Sequence, residues 1–151
     1  MVANAMKHSC AIGAPAERVW AVLTDPGFLG RWFGSGAPAE LDLRPGGRLL
    51  FGSHTTHGAL LARLDRIEPA RLLSYRWAIA PAGAEPRDED ATEVALLLTE
   101  EDGNTRLDVT ESGFARLEVP ADELATRYAA NDDGWPRKLA EVRDEAERSR
   151  V

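Results

Sequence analysis

Glu111 is the residue whose position most invites chemistry. It stands in phase with Leu107 and Val109, so strand alternation turns its carboxylate inward. An inward carboxylate is costly unless it is paired or protonated. One reading makes it a ligand anchor or a general acid/base. The other makes it a strand-end residue whose carboxylate reaches solvent or meets a structural partner. His8 and Cys10 share the inward face of the first strand, and an imidazole beside a thiol could form a nucleophile pair. Residues two apart on a strand are separated by ~6.6 Å along it, too far for direct proton transfer. No third group that would orient the imidazole is identifiable, so a small apolar Cys and a core or pocket His is the simpler reading.

His54 and His57 lie in or near a turn. Zinc sites usually take three or four protein ligands, so exposed turn histidines and no metal are expected. No G-x-S-x-G elbow, phosphate loop or dinucleotide fingerprint occurs. The aromatic residues are more suggestive. Trp32, Phe33, Tyr75, Trp77, Tyr128 and Trp135 recur at strand or helix period, which fits plain core and fits an apolar pocket with polar handles equally well.

These residues must be held by recognisable elements. Residues 5–13 alternate as a strand carrying Met6, His8, Cys10 and Ile12 on one face. Pro15 opens a helix with Val19, Trp20 and Leu23 as its stripe, running to about Thr24. Asp25-Pro26-Gly27 turns the chain into a second short helix over 26–32, closed by Gly34-Ser35-Gly36. The middle is strand-rich. Leu41 and Leu43 alternate with polar residues, and Pro45-Gly46-Gly47 reads as a hairpin turn leading to Leu49 and Phe51. Strands follow over 58–67, with Leu60, Ala62 and Leu64 in phase, and over Leu73–Ile79. After a proline- and acid-rich loop at 80–90, Val94, Leu96 and Leu98 pair through an acidic turn with Leu107, Val109 and Glu111.

From Ala121 the period changes to about 3.6. Leu124, Tyr128, Asn131, Trp135, Leu139, Val142 and Ala146 then share one helix face. Pro136 lies inside this pattern, and an internal proline costs ~3 kcal/mol or more in a regular helix. A kink or break near Asn131–Gly134 is expected, with Asp132 or Asp133 as cap for the last segment. Short turns between the strands imply antiparallel pairing.

The bulk numbers agree with one ordinary domain over 1–151. The chain has 151 residues, 44% hydrophobic and 28% charged. Its net charge of −7 opposes binding to nucleic acid or to an anionic membrane. One cysteine excludes an internal disulfide, and no signal peptide or membrane span is visible, so a cytoplasmic location is the default.

The element order and several local motifs resemble the START-like (SRPBCC) superfamily, and within it the branch named after the activator of heat-shock-protein ATPase (AHSA-like). The matching residues are Ala14-Pro15 with Val19-Trp20, Leu23-Thr24-Asp25-Pro26, Trp32-Phe33, Pro45-Gly46-Gly47 and Gly58. They continue through Thr105-x-Leu107, Ser112-Gly113-Phe114 and Gly134-Trp135 with Leu139. The resemblance implies an α+β helix-grip fold. That is a curved six- or seven-stranded antiparallel sheet wrapped around a long C-terminal helix, with two short helices after the first strand. It also implies a cavity between sheet and helix, for which His8, Trp32, Phe33, Tyr75, Trp77, Leu96, Glu111, Tyr128 and Trp135 are the candidate lining. Similar proteins include ligand carriers, cyclases and co-chaperones, so function must come from the site. The first expectation is binding of a small apolar molecule without a cofactor. A cyclase- or hydrolase-type enzyme using Glu111, or a chaperone-interacting module, are the alternatives. A homodimer is compatible with each.

Overall fold

The computed structural model describes residues 3–33, 39–51, 59–80 and 91–148, excluding the side chains of 33, 51, 59–61 and 78–80. Strand β1 (Ala5–Ile12) is followed by helices α1 (Ala16–Leu23) and α2 (Pro26–Phe33). Six strands come next: β2 (Glu40–Leu41), β3 (Arg48–Phe51), β4 (Ala59–Glu68), β5 (Leu72–Ala80), β6 (Thr92–Glu101) and β7 (Asn104–Ser112). Helix α3 (Ala121–Arg148) ends the described chain. The strands form one seven-stranded sheet in the order β1-β7-β6-β5-β4-β3-β2, antiparallel throughout. The architecture is the α+β helix grip expected from the resemblance.

Local chemistry explains the boundaries. Pro15 sits one residue outside α1 as its N-cap, and the Ala16 N–H is taken by the Glu100 carboxylate from the end of β6 at 2.6 Å. An anion there also opposes the positive end of the helix dipole. Asp25 caps α2, its Oδ2 accepting the Phe28 N–H at 3.2 Å, with Pro26 in the first helical position. The β6–β7 hairpin turns through Asp102 and Gly103, both at positive φ (54° and 78°), the pattern of a two-residue type I′ loop. Gly46 also takes positive φ (81°), and a Cβ at Gly47 would lie 2.0 Å from the Asp42 carbonyl oxygen. Only glycine fits there.

Two expectations need correction. Leu43 does not continue a strand: β2 stops at Leu41, a tight turn at 42–47 follows, and Leu43 is the one large hydrophobic exposed among the described residues. More consequentially, α3 is one helix of 28 residues with Pro136 inside it, and no break or fresh cap interrupts it at Asn131–Gly134. Pro136 lies on the exposed side, while Trp135, Leu139, Val142 and Ala146 are buried in the common core. Packing of that stripe against β1 and α1 offsets the backbone bond that proline removes.

The sheet's inner face can be followed across strands. One row runs Met6, Glu111, Val94, Tyr75 and Leu64. The adjacent row runs His8, Val109, Leu96 and Leu73. Immediately after the Leu64–Tyr75 pair the β4–β5 register shifts, and the Ser74 hydroxyl accepts the Arg66 N–H of the bulge at 3.1 Å. The bulge bends β4 beside Tyr75.

Candidate functional site

Glu111 is fully buried, with none of its surface exposed. Among the described residues no Lys, Arg or His bridges it. Its compensation is entirely neutral. Trp135 Nε1 donates to Oε1 at 2.8 Å and Trp77 Nε1 to Oε2 at 3.1 Å. The Thr92 hydroxyl donates to Oε2 at 2.5 Å, and Asn131 Nδ2 reaches both oxygens at 3.1 and 3.0 Å. Indole N–H groups can only donate, so both oxygens are held as acceptors. Four donor groups occupy the roughly four lone-pair positions of a carboxylate.

Three elements deliver these donors. Thr92 and Trp77 are directly paired across β6 and β5. Asn131 and Trp135 stand four apart on α3 and therefore on one face. The stripe read from the sequence contained both, but periodicity alone does not say that Asn131 aims its amide at a carboxylate. Thr92 carried no sequence signal at all.

The two indoles also belong to an aromatic ladder. Phe28 and Trp32 have ring centroids 5.5 Å apart, Trp32 and Trp135 6.3 Å, Trp135 and Trp77 6.1 Å, and Trp77 and Tyr75 5.6 Å. The ladder thus crosses from α2 through α3 to β5. Trp32 is anchored twice, its Nε1 donating to the Lys138 carbonyl at 3.0 Å while Lys138 Nζ donates to the Trp32 carbonyl. Burial pulls the Lys138 ammonium below its ordinary range.

Tyr75 ends the ladder. Its hydroxyl oxygen is sealed from solvent and makes no hydrogen bond among the described residues. Burial, and next the charge of Glu111, push its pKa well above the usual phenol range, so it stays a neutral donor. A buried hydroxyl without a partner costs about 1–3 kcal/mol, which makes this atom conspicuous.

The other candidates lie elsewhere. His8 Nε2 pairs with Asp132 Oδ1 on α3 at 2.8 Å, supplying the orienting group that the sequence did not reveal. Cys10 takes no part in that pair, and burial raises its thiol pKa. Tyr128 packs on Phe114 at 4.9 Å and donates to the Ala5 carbonyl at 3.1 Å, at the opposite end of the row from Tyr75. Leu96 is fully buried in the core. The Phe33 side chain, His54 and His57 lie outside the described residues. Among the described residues, no three His, Cys, Asp or Glu side chains gather as a metal site. No described helix is long and apolar enough to cross a membrane.

Comparison with known proteins agrees with this fold. The chain superposes on a protein of Mesorhizobium loti with a TM-score of 0.75 at 22% identity, covering 97% of this chain and 99% of that one. It superposes on the Aha1 dimer protein of Colwellia psychrerythraea with a TM-score of 0.73 at 20% identity, covering 97% of each. A protein from the dynemicin biosynthetic locus gives 0.69 at 23% identity, covering 99% of this chain and 49% of that one. At these identities the likeness is one of fold. No curated protein matches the sequence. The model of the family described as Activator of Hsp90 ATPase homolog 1-like protein matches residues 13–146, nearly the whole chain, and the chain belongs to that family.

Proposed function

We propose that this protein binds a small, largely apolar molecule between the sheet and α3, against the ladder that runs from Phe28 to Tyr75. The observation that carries the reading is the buried polar pair at the ladder's end. There a carboxylate is held by neutral donors, two strands along the same inward row from a hydroxyl that bonds to nothing among the described residues. A core evolved only for packing has no use for either group, since aliphatic side chains fill such a space without the desolvation cost. A ligand pocket does use them, as a few placed polar atoms in an apolar wall.

The test is a titration of intrinsic tryptophan emission and of thermal stability with a panel of apolar molecules. A ligand that fits should quench or shift emission from Trp77 and Trp135 and raise the melting temperature. Trp135→Phe should remove a large part of the optical signal. A varied panel that moves neither emission nor melting temperature would overturn this reading. It would favour a protein-interaction module, for which the family match and the dimeric Colwellia relative speak. In either case a cytoplasmic protein able to pair with a second copy is the working picture.

A further inference from the structure

The binding reading leaves the chemistry of the ligand open, and the same atoms narrow it. Glu111 has its acceptor positions filled by Trp77, Thr92, Asn131 and Trp135. It has nothing left with which to accept from a ligand. Tyr75 is different: its hydroxyl is buried, keeps its proton, and is committed to no neighbour among the described residues. Tyr75 and Glu111 are two strands apart in one cross-strand row and face the same side of the sheet. Whatever meets the hydroxyl therefore lies near a carboxylate that no described cation balances.

We propose that the Tyr75 hydroxyl is the ligand's polar anchor, selecting an uncharged apolar molecule that carries a carbonyl or ether oxygen, while the Glu111 carboxylate excludes organic anions. The phenol's proton has no acceptor among the described residues, and a carbonyl or ether oxygen opposite it would supply one. A ligand carboxylate could also accept, but it would bring a second negative charge beside the first in a desolvated place, where like charges repel strongly. A plain hydrocarbon would fill the wall and leave the hydroxyl unmet. Trp77, partly buried, packs edge-on against Tyr75 with ring centroids 5.6 Å apart.

This inference rests on the binding reading, and three matched probes separate the two. The probes are 2-ethylnaphthalene, 2-acetylnaphthalene and 2-naphthoate, titrated into the full chain at pH 8. The ketone should bind ~10-fold more tightly than the hydrocarbon, the worth of one good hydrogen bond at a buried donor. The naphthoate should bind more weakly than either. Tyr75→Phe keeps the ring and should erase the ketone's advantage over the hydrocarbon. Ketone and hydrocarbon binding equally to the unaltered protein would overturn the anchor and leave the binding reading standing. Naphthoate binding as tightly as the ketone would overturn the exclusion of anions. Failure of all three probes to bind would overturn the proposal together with the reading beneath it. The comparison in the unaltered protein decides the matter even where the variant folds poorly.

Discussion

A glutamate buried with no cation among the described residues is tolerable here because its neighbours donate their protons to it. That makes the network sensitive to a change of a single atom. Glu111→Gln replaces one acceptor oxygen by an amide that donates. Placed at Oε1, the amide would face the Trp135 N–H, and placed at Oε2 it would face Trp77; either way two donors oppose each other. We expect a loss of about 1–3 kcal/mol, read as a lower urea midpoint with unchanged slope. A midpoint at or above that of the parent protein would show that the carboxylate is not held as an acceptor. The inward position of Glu111 was legible from two-residue alternation. Its partners were not, because Thr92, Asn131 and Trp135 are 19, 20 and 24 residues away and meet it only through tertiary packing.

At the scale of elements, α3 carries two residues that a helix ordinarily avoids. Pro136 removes a backbone bond, and Gly134 adds chain entropy two residues earlier. Space is not the reason for Gly134, since a Cβ there would meet nothing closer than Arg137 Nη2 at 3.9 Å. Gly134→Ala should therefore stabilise the protein by about 0.5–1 kcal/mol, measured by denaturant or thermal unfolding. A loss instead would mean that the helix needs its local freedom, a cost that a ligand-gripping helix could bear for function. The strand and helix boundaries were readable to within a residue or two wherever period and punctuation agreed, as at Asp25-Pro26 and Asp102-Gly103. The break expected near Pro136 does not occur, because long-range burial of Trp135, Leu139, Val142 and Ala146 outweighs a local penalty.

For the molecule as a whole, acid stability should depend on the sheet's other face. Asp108 on β7 is nearly buried there. Burial opposes its charge, but hydrogen bonds from Ser9 and Arg106 and the charges of Arg106 and Lys7 outweigh that and hold its pKa below the ordinary aspartate range. A carboxyl lowered on folding contributes stability above its unfolded pKa of about 4, and that contribution is lost as pH falls through the folded value. Asp108→Asn should thus cost stability at pH 7 and progressively less toward pH 3. An equal loss at both pH values would assign the effect to packing rather than to charge. Because Ser9 and Asp108 pair directly across β1 and β7, the residue also links the first strand to the C-terminal hairpin.

The order of elements, the antiparallel sheet and the apolar stripe of α3 were determined by the sequence alone, since each is written in a local period of two or 3.6 and in turn residues with few alternatives. The resemblance carried by motifs from Ala14-Pro15 to Gly134-Trp135 belongs to the same level, because such motifs are also local. Only the tertiary structure decided what the inward polar atoms meet. It brought His8 to Asp132 across 124 residues, surrounded Glu111 with neutral donors, and left the Tyr75 hydroxyl without a partner among the described residues. Hydrogen bonds act over ~3 Å between side chains of any sequence separation, so their pairing is fixed by how the elements pack and not by the spacing along the chain.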